Sequence, residues 1–241
     1  MANILLIETS TRVCSVGIAS GGKLLALRED NSSNYSHSAL LTRFIEASLD
    51  QAGLMAKNLD AVGVSMGPGS YTGLRIGISA AKGICYALDL PLIAIDTIRA
   101  MAGECLEQKG DVLAKMSPNK PSMLLCPMID ARRMEVYYAI YDAQLNNVEP
   151  TQAKIIAEGS FSELLMQYHM VFFGDGAQKC KAILRHENST VFHDVFPSAR
   201  GMTSLAFEKF SAGQFADVAY FEPFYLKDFI AGAPKVKGLN I

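Results

Sequence analysis

Apolar residues come along this chain in short dense runs, each closed by a polar or glycine-rich turn, and the spacing within a run assigns its element. Ile4 to Ile7 is continuous and stops at Glu8-Thr9-Ser10-Thr11, the pattern of a central strand ending in a polar turn. Val13 to Ala19 alternates small and apolar residues, and Gly21-Gly22 supplies a hairpin turn into Lys23 to Arg28. A helix is predicted from His37 to Ala52, capped by Ser36, with Leu41, Phe44, Ile45, Leu49 and Ala52 on one face and Gly53 as its stop. A buried strand over 61–66, a helix over 74–88, a strand over 92–95 and a helix over 98–108 follow. Residues 109–121 show no clear periodicity and read as the crossing between two halves.

The pattern then restarts. Met123 to Ile129 is an apolar run closed by Asp130-Ala131-Arg132-Arg133, Glu135 to Tyr141 alternates as a strand, and Gln152 to Ala157 is a third strand. A helix over 162–168, a strand over 171–173 and a helix from Gly174 to about Leu184 complete the order, and Thr203 opens a last helix before an aromatic stretch at 220–226. Three strands, helix, strand, helix occur twice. The expectation is an α/β chain of two lobes, residues 1–108 and 109–241, each a βββαβα unit with a mixed sheet, the tail crossing back to the first lobe.

Composition narrows the function classes. Half of the 241 residues are apolar, 19% are charged and the net charge is −2, so no global basic field marks a nucleic-acid binder. The five cysteines stand singly with no CxxC pair, which fits buried thiols in a reducing cytoplasm. The N-terminal apolar run is too short for a secretory signal, and no segment reaches the ~18 apolar residues of a membrane helix. A cytoplasmic protein is expected. Four histidines, His37, His169, His186 and His193, form no compact ligand spacing, so no metal site is expected, and His37 reads as a solvated first-turn residue.

The glycine-rich turn at 67–73 is the most distinctive stretch. It lies between a strand and a helix, where backbone N–H groups can meet an anion or another stretch of backbone. It is not a phosphate-binding Walker loop, because leucine follows Gly73 and no lysine is placed for a phosphate. Its GxGxxxG spacing also misses the dinucleotide fingerprint. Behind it Gly73, Gly77 and Ala81 recur every fourth residue, a low ridge that lets either the chain's own sheet or a second subunit approach closely. Glu8 and Asp130 close equivalent strands of the two halves, and with Gly174 they are the cleft residues an ATP-dependent phosphotransferase would use; Arg132 and Arg133 would crowd that cleft.

ILLIETST at 4–11, GPGSYTGLRIGISAAKGICYALDLPL at 67–92, IDARRMEVYYAIY at 129–141, GDGA at 174–177 and PFYLKD at 223–228 together resemble the TsaB family, also called YeaZ. The resemblance implies an actin-like, ribonuclease H-like fold of the ASKHA superfamily, related to the M22 glycoproteases. It implies a non-catalytic subunit for N6-threonylcarbamoyladenosine (t6A) formation at position 37 of tRNAs reading ANN codons. In that family TsaB pairs with the catalytic paralogue TsaD, and the ATPase TsaE joins them. The histidine pair with which TsaD binds metal has no counterpart in the helix beginning Asp96-Thr97. The implied partner surface lies on the helices over 36–52 and 73–88, at Leu41, Ile45, Gly73, Gly77, Ala80, Ala81 and Ile84, open to TsaD or to a second copy. No cofactor or catalytic residue is expected, Glu8, Asp130 and Gly174 being vestigial. Contact with tRNA is expected only through the complex, at most peripherally at Lys235 and Lys237. The alternatives from other classes are an independent phosphotransferase and a glycoprotease-type metallopeptidase.

Overall fold

β1 (Asn3–Glu8) is the strand about which the first lobe is built. Ile4 to Ile7 are all buried to 1% exposure or less, so both faces of this strand carry core and its continuous apolar run has a physical reason. β2 (Cys14–Ser20) and β3 (Lys23–Asp30) follow antiparallel, with Gly21 and Gly22 at left-handed φ in the turn between them. α1 (His37–Ala52), β4 (Ala61–Gly67), α2 (Tyr71–Leu88) and β5 (Leu92–Asp96) complete the lobe. The sheet order is β3-β2-β1-β4-β5, with β4 and β5 parallel to β1. The structure is a computed structural model and describes residues 1–32, 37–116 and 122–227. Ser36, Lys235 and Lys237 lie outside them.

α3 (Thr97–Met116) leads to the second lobe. There β6 (Met123–Asp130), β7 (Glu135–Tyr141), β8 (Asn147–Ile155), α4 (Ser162–Gln167), β9 (His169–Phe173), α5 (Asp175–Cys180) and β10 (Ser189–Val191) form a sheet of order β10-β9-β6-β7-β8. Replacing β1 to β5 by β6 to β10 turns one order into the other, with the same antiparallel and parallel pairings. The molecule is a two-lobed α/β fold with two mixed five-stranded sheets, as an actin-like chain should be. α6 (Thr203–Ser211) then returns to the first lobe, where Leu205 and Ala206 pack with Ile4, Leu6 and Ile93.

Each sheet buries both faces. α1 and α2 cover one face of the first sheet over Leu5, Ile7, Val62 and Val64, and α6 covers the other. α3 serves both lobes: Ile98, Met101, Ala102 and Cys105, at helical spacing, pack on the second sheet, while Ala100 joins the first-lobe cluster.

Several elements differ from the sequence reading. α3 does not stop at Gln108 but continues two turns to Met116, so the division placed at 108 falls within a helix. Of residues 109–116 only Leu113 is buried, so that stretch carries no apolar stripe to read. β8 begins at Asn147 rather than Gln152, its Pro150 tolerated because β8 is an edge strand. α5 ends at Cys180, and β10 has no counterpart in the sequence reading. His37 is not solvated: its ring is buried, with Nε2 3.2 Å from the Val13 carbonyl.

Candidate functional site

The glycine turn between β4 and α2 is filled by the chain's own backbone. Ser70 caps α2, its hydroxyl accepting from Gly73 N at 3.2 Å, while Ser70 N donates to the Ser10 carbonyl at 2.6 Å. Thr9 Oγ1 donates to the Gly73 carbonyl at 2.9 Å, and Gly67 N donates to Thr97 Oγ1 at 3.1 Å. The turn following β1 therefore lies against the turn and first coils of α2. Side chains at Gly69 and Gly73 would collide with the Ser10 and Thr9 carbonyls, and one at Gly77 with Thr9 Oγ1. The close approach that these small residues permit is that of segment 9–10.

This corrects four of the expected interface residues. Leu41, Gly73, Gly77 and Ala81 are buried against the first sheet and its end loop, so they cannot line a partner surface. Ile45, Ala80 and Ile84 are partly exposed. The outward stripe of α2 runs instead through Thr72, Ser79, Gly83 and Tyr86. A Cβ at Gly83 would meet no atom of another described residue within 4 Å, and Tyr86 is 88% exposed.

The cleft between the lobes holds a cavity of about 760 Å³. Ser10, Arg12 and Tyr71 line it from the first lobe, Asp130, Arg132 and Asp175 from the second. Glu8, at the equivalent strand end to Asp130, is fully buried and does not line it. Its Oε1 accepts from Ser10 N at 2.6 Å. Burial pushes its carboxyl above the ordinary range, partly offset by hydrogen bonds from Ser10, Ser65 and Thr9. Asp130 is exposed and forms an ion pair with Lys179 of α5. Its backbone N donates to Asp175 Oδ1 at 2.9 Å, and burial raises the Asp175 carboxyl. Gly174 is packed on the Met128 carbonyl and Met101 and lies outside the cavity lining. The three cleft candidates are thus not brought together: one is sealed, one is paired and one is packing.

The tail supplies residues that sequence reasoning did not place. Phe224 to Lys227 line the same cavity. Phe224 N donates to the Met66 carbonyl at 2.7 Å, a close passage that Gly67 leaves room for. Arg75 Nε donates to Tyr225 Oη at 3.0 Å, Arg75 lies 4.0 Å over the Tyr71 ring, and the Tyr71 and Tyr225 rings are 5.1 Å apart. Lys227 pairs with Glu135 of the second lobe, so the segment spans both sides of the cleft mouth. Its aromatic composition was the available signal. Arg132 enters the cavity as expected, and it and Arg133 sit in a turn with left-handed φ of 71° and 50°, costly for residues with a Cβ.

All five cysteines are buried and free, and burial pushes the thiols up, to about 11 for Cys14 and Cys85 and about 12 for Cys105, which suppresses the nucleophilic thiolate. Among the described residues no three His, Cys, Asp or Glu side chains are grouped to hold a metal ion, and no helix is long and apolar enough to cross a membrane.

Comparison with known proteins places this geometry. The profile of the family described as "TsaD: tRNA N6-adenosine threonylcarbamoyltransferase" matches residues 31–231. The tRNA threonylcarbamoyladenosine biosynthesis protein TsaB of Escherichia coli is 30% identical over 236 residues, covering 95% of this chain and 96% of that one. The protein of the same name from Haemophilus influenzae is 33% identical over 138 residues, 56% of this chain and 52% of that one. A crystal structure from Pseudomonas aeruginosa, described as similar to the peptidase YEAZ, superposes with a TM-score of 0.80 at 23% identity, covering 94% of this chain and all of that one. With its fold, glycine turn and nearly full-length similarity, the chain belongs to the TsaB family of tRNA threonylcarbamoyladenosine biosynthesis proteins.

Proposed function

We infer that this chain is a non-catalytic subunit of the machinery that places t6A at position 37 of tRNAs reading ANN codons. Its role is to bind and support a TsaD-type transferase, with a TsaE-type ATPase joining the pair, in the cytoplasm where tRNA is modified. The observation that carries this reading is how the glycine turn is used: Ser70 N donates to the Ser10 carbonyl, and the room left at Gly69, Gly73 and Gly77 is taken by Ser10 and Thr9. The sealed position of Glu8 and the pairing of Asp130 with Lys179 support the absence of catalysis and weigh against an independent phosphotransferase.

The partner surface lies on the outward side of α1 and α2. Ile45, Ala80 and Ile84 form its half-buried floor, and Ser79, Gly83 and Tyr86 its exposed ridge. An exposed glycine inside a helix costs about 0.5–1 kcal/mol relative to alanine, and none of the described residues packs on Gly83. A helix of a partner approaching at this point gives the small residue its use. The same ridge serves a second copy of the chain when the paralogue is absent. Gly83→Arg should leave the monomer folded and abolish co-elution with the TsaD paralogue in size-exclusion chromatography. Co-elution at the wild-type ratio would exclude this surface.

A further inference from the structure

We propose that the second lobe carries a cationic surface that takes the phosphate backbone of the RNA substrate directly; this rests on the reading that the chain works in tRNA modification. A concavity of about 880 Å³ on the outer side of α5 is lined by Lys179, Lys181, Arg185, His186 and His193, with Gln178 and Ser189, and by no carboxylate. The whole chain has 24 acidic and 22 basic residues, so a lining that holds cations and excludes acids is a local segregation of charge. Lys179 donates to the Glu135 carbonyl at 2.7 Å and pairs with Asp130, which ties α5 to the turn between β6 and β7. That turn presents Arg132 and Arg133, both exposed, in the left-handed conformation described above.

Arg132, Arg133, Lys181 and Arg185 take part in no ion pair with another described residue. Asn188 N donates to His186 Nδ1 at 3.1 Å, which leaves the proton of the neutral ring on Nε2 as a further donor. Ala182 and Val191 are the apolar residues of the lining and the others are polar or basic, the composition that a nucleic-acid backbone meets. The surface is built from second-lobe elements, and α1 and α2 belong to the first, so RNA and the partner subunit would take different lobes.

The test is fluorescence anisotropy of a labelled tRNA transcript, titrated over a series of salt concentrations with the full chain, both alone and assembled with its TsaD paralogue. Lys181→Glu with Arg185→Glu should weaken binding about tenfold or more at low salt. The paired alanine variant should reduce the slope of log K against log salt by roughly 1.5 to 2, the counterion release of two phosphate contacts. Size-exclusion chromatography of the same samples reads the partner contact separately. Wild-type affinity and slope in both variants overturn the proposal, as does loss of the paralogue with RNA affinity retained, which would make the surface a protein contact. An affinity change with no change in slope means that no phosphate contact was lost and overturns it too. If the wild-type chain fails to join the paralogue, the proposed function falls, while the titration of the chain alone still decides the RNA contact.

Discussion

Gly77 and Gly83 stand six residues apart in one helix and have opposite uses. Gly77 faces Thr9, so Gly77→Ala forces Oγ1 away and breaks its bond to the Gly73 carbonyl; unfolding by urea should show a loss of about 1–3 kcal/mol. Gly83 faces open space, and Gly83→Ala should raise the stability of the isolated chain by about 0.5–1 kcal/mol. The spacing of small residues showed that something comes close to α2. It could not show what, because a four-residue repeat places side chains on one face without saying which face meets the sheet. Glu104 gives a second test at this scale. Its carboxyl is fully buried beside Arg200, 3.3 Å away, and burial outweighs that cation, raising its pKa to about 7. Between its ordinary 4.5 and 7 the folded state holds a proton that the unfolded state has lost, so this group's contribution to stability falls as pH rises through that window. The loss approaches about 3 kcal/mol above pH 7. In Glu104→Gln, urea midpoints measured from pH 5 to 8 should decline less steeply than in the wild type.

Among the elements, those with an apolar face were legible and those without were not. α1 was read to its observed ends because its inward residues recur at helical spacing, and β7 because its residues alternate. The last two turns of α3, the first half of β8 and the three residues of β10 lie at the surface or the sheet edge, where burial imposes no pattern. The tail between Ala216 and Lys227 was readable as an aromatic stretch, but its place depends on contacts with α2 and with the first-lobe core, on which Ala216, Val218 and Phe221 pack. Lys82 Nζ donates to the Ala219 and Phe221 carbonyls at 3.0 and 3.2 Å, pinning the tail beside α2. Lys82→Ala should leave those carbonyls to water and raise hydrogen-exchange rates over residues 216–224 several-fold, with helix α6 unchanged. Unchanged exchange in the tail would mean that Lys82 does not hold it.

At the scale of the molecule, the two lobes repeat one topology, and the order of elements in the sequence already carried that repetition. The cleft between them was harder to read. Strand-end acids at equivalent positions suggested a nucleotide site, yet Glu8 is sealed beneath the Ser10 turn, Asp130 is paired, and the tail spans the mouth. The pairing of Asp130 and the path of the tail depend on contacts between residues more than 40 positions apart, which no local pattern records. The central claim, that this chain is needed for t6A without performing the transfer, is tested most directly by mass spectrometry of tRNA nucleosides after depletion of the chain. t6A should fall on depletion and return with the wild-type chain or with Asp130→Asn, but not with Gly83→Arg. Unchanged t6A after depletion, or no recovery with Asp130→Asn at wild-type protein levels, would contradict it.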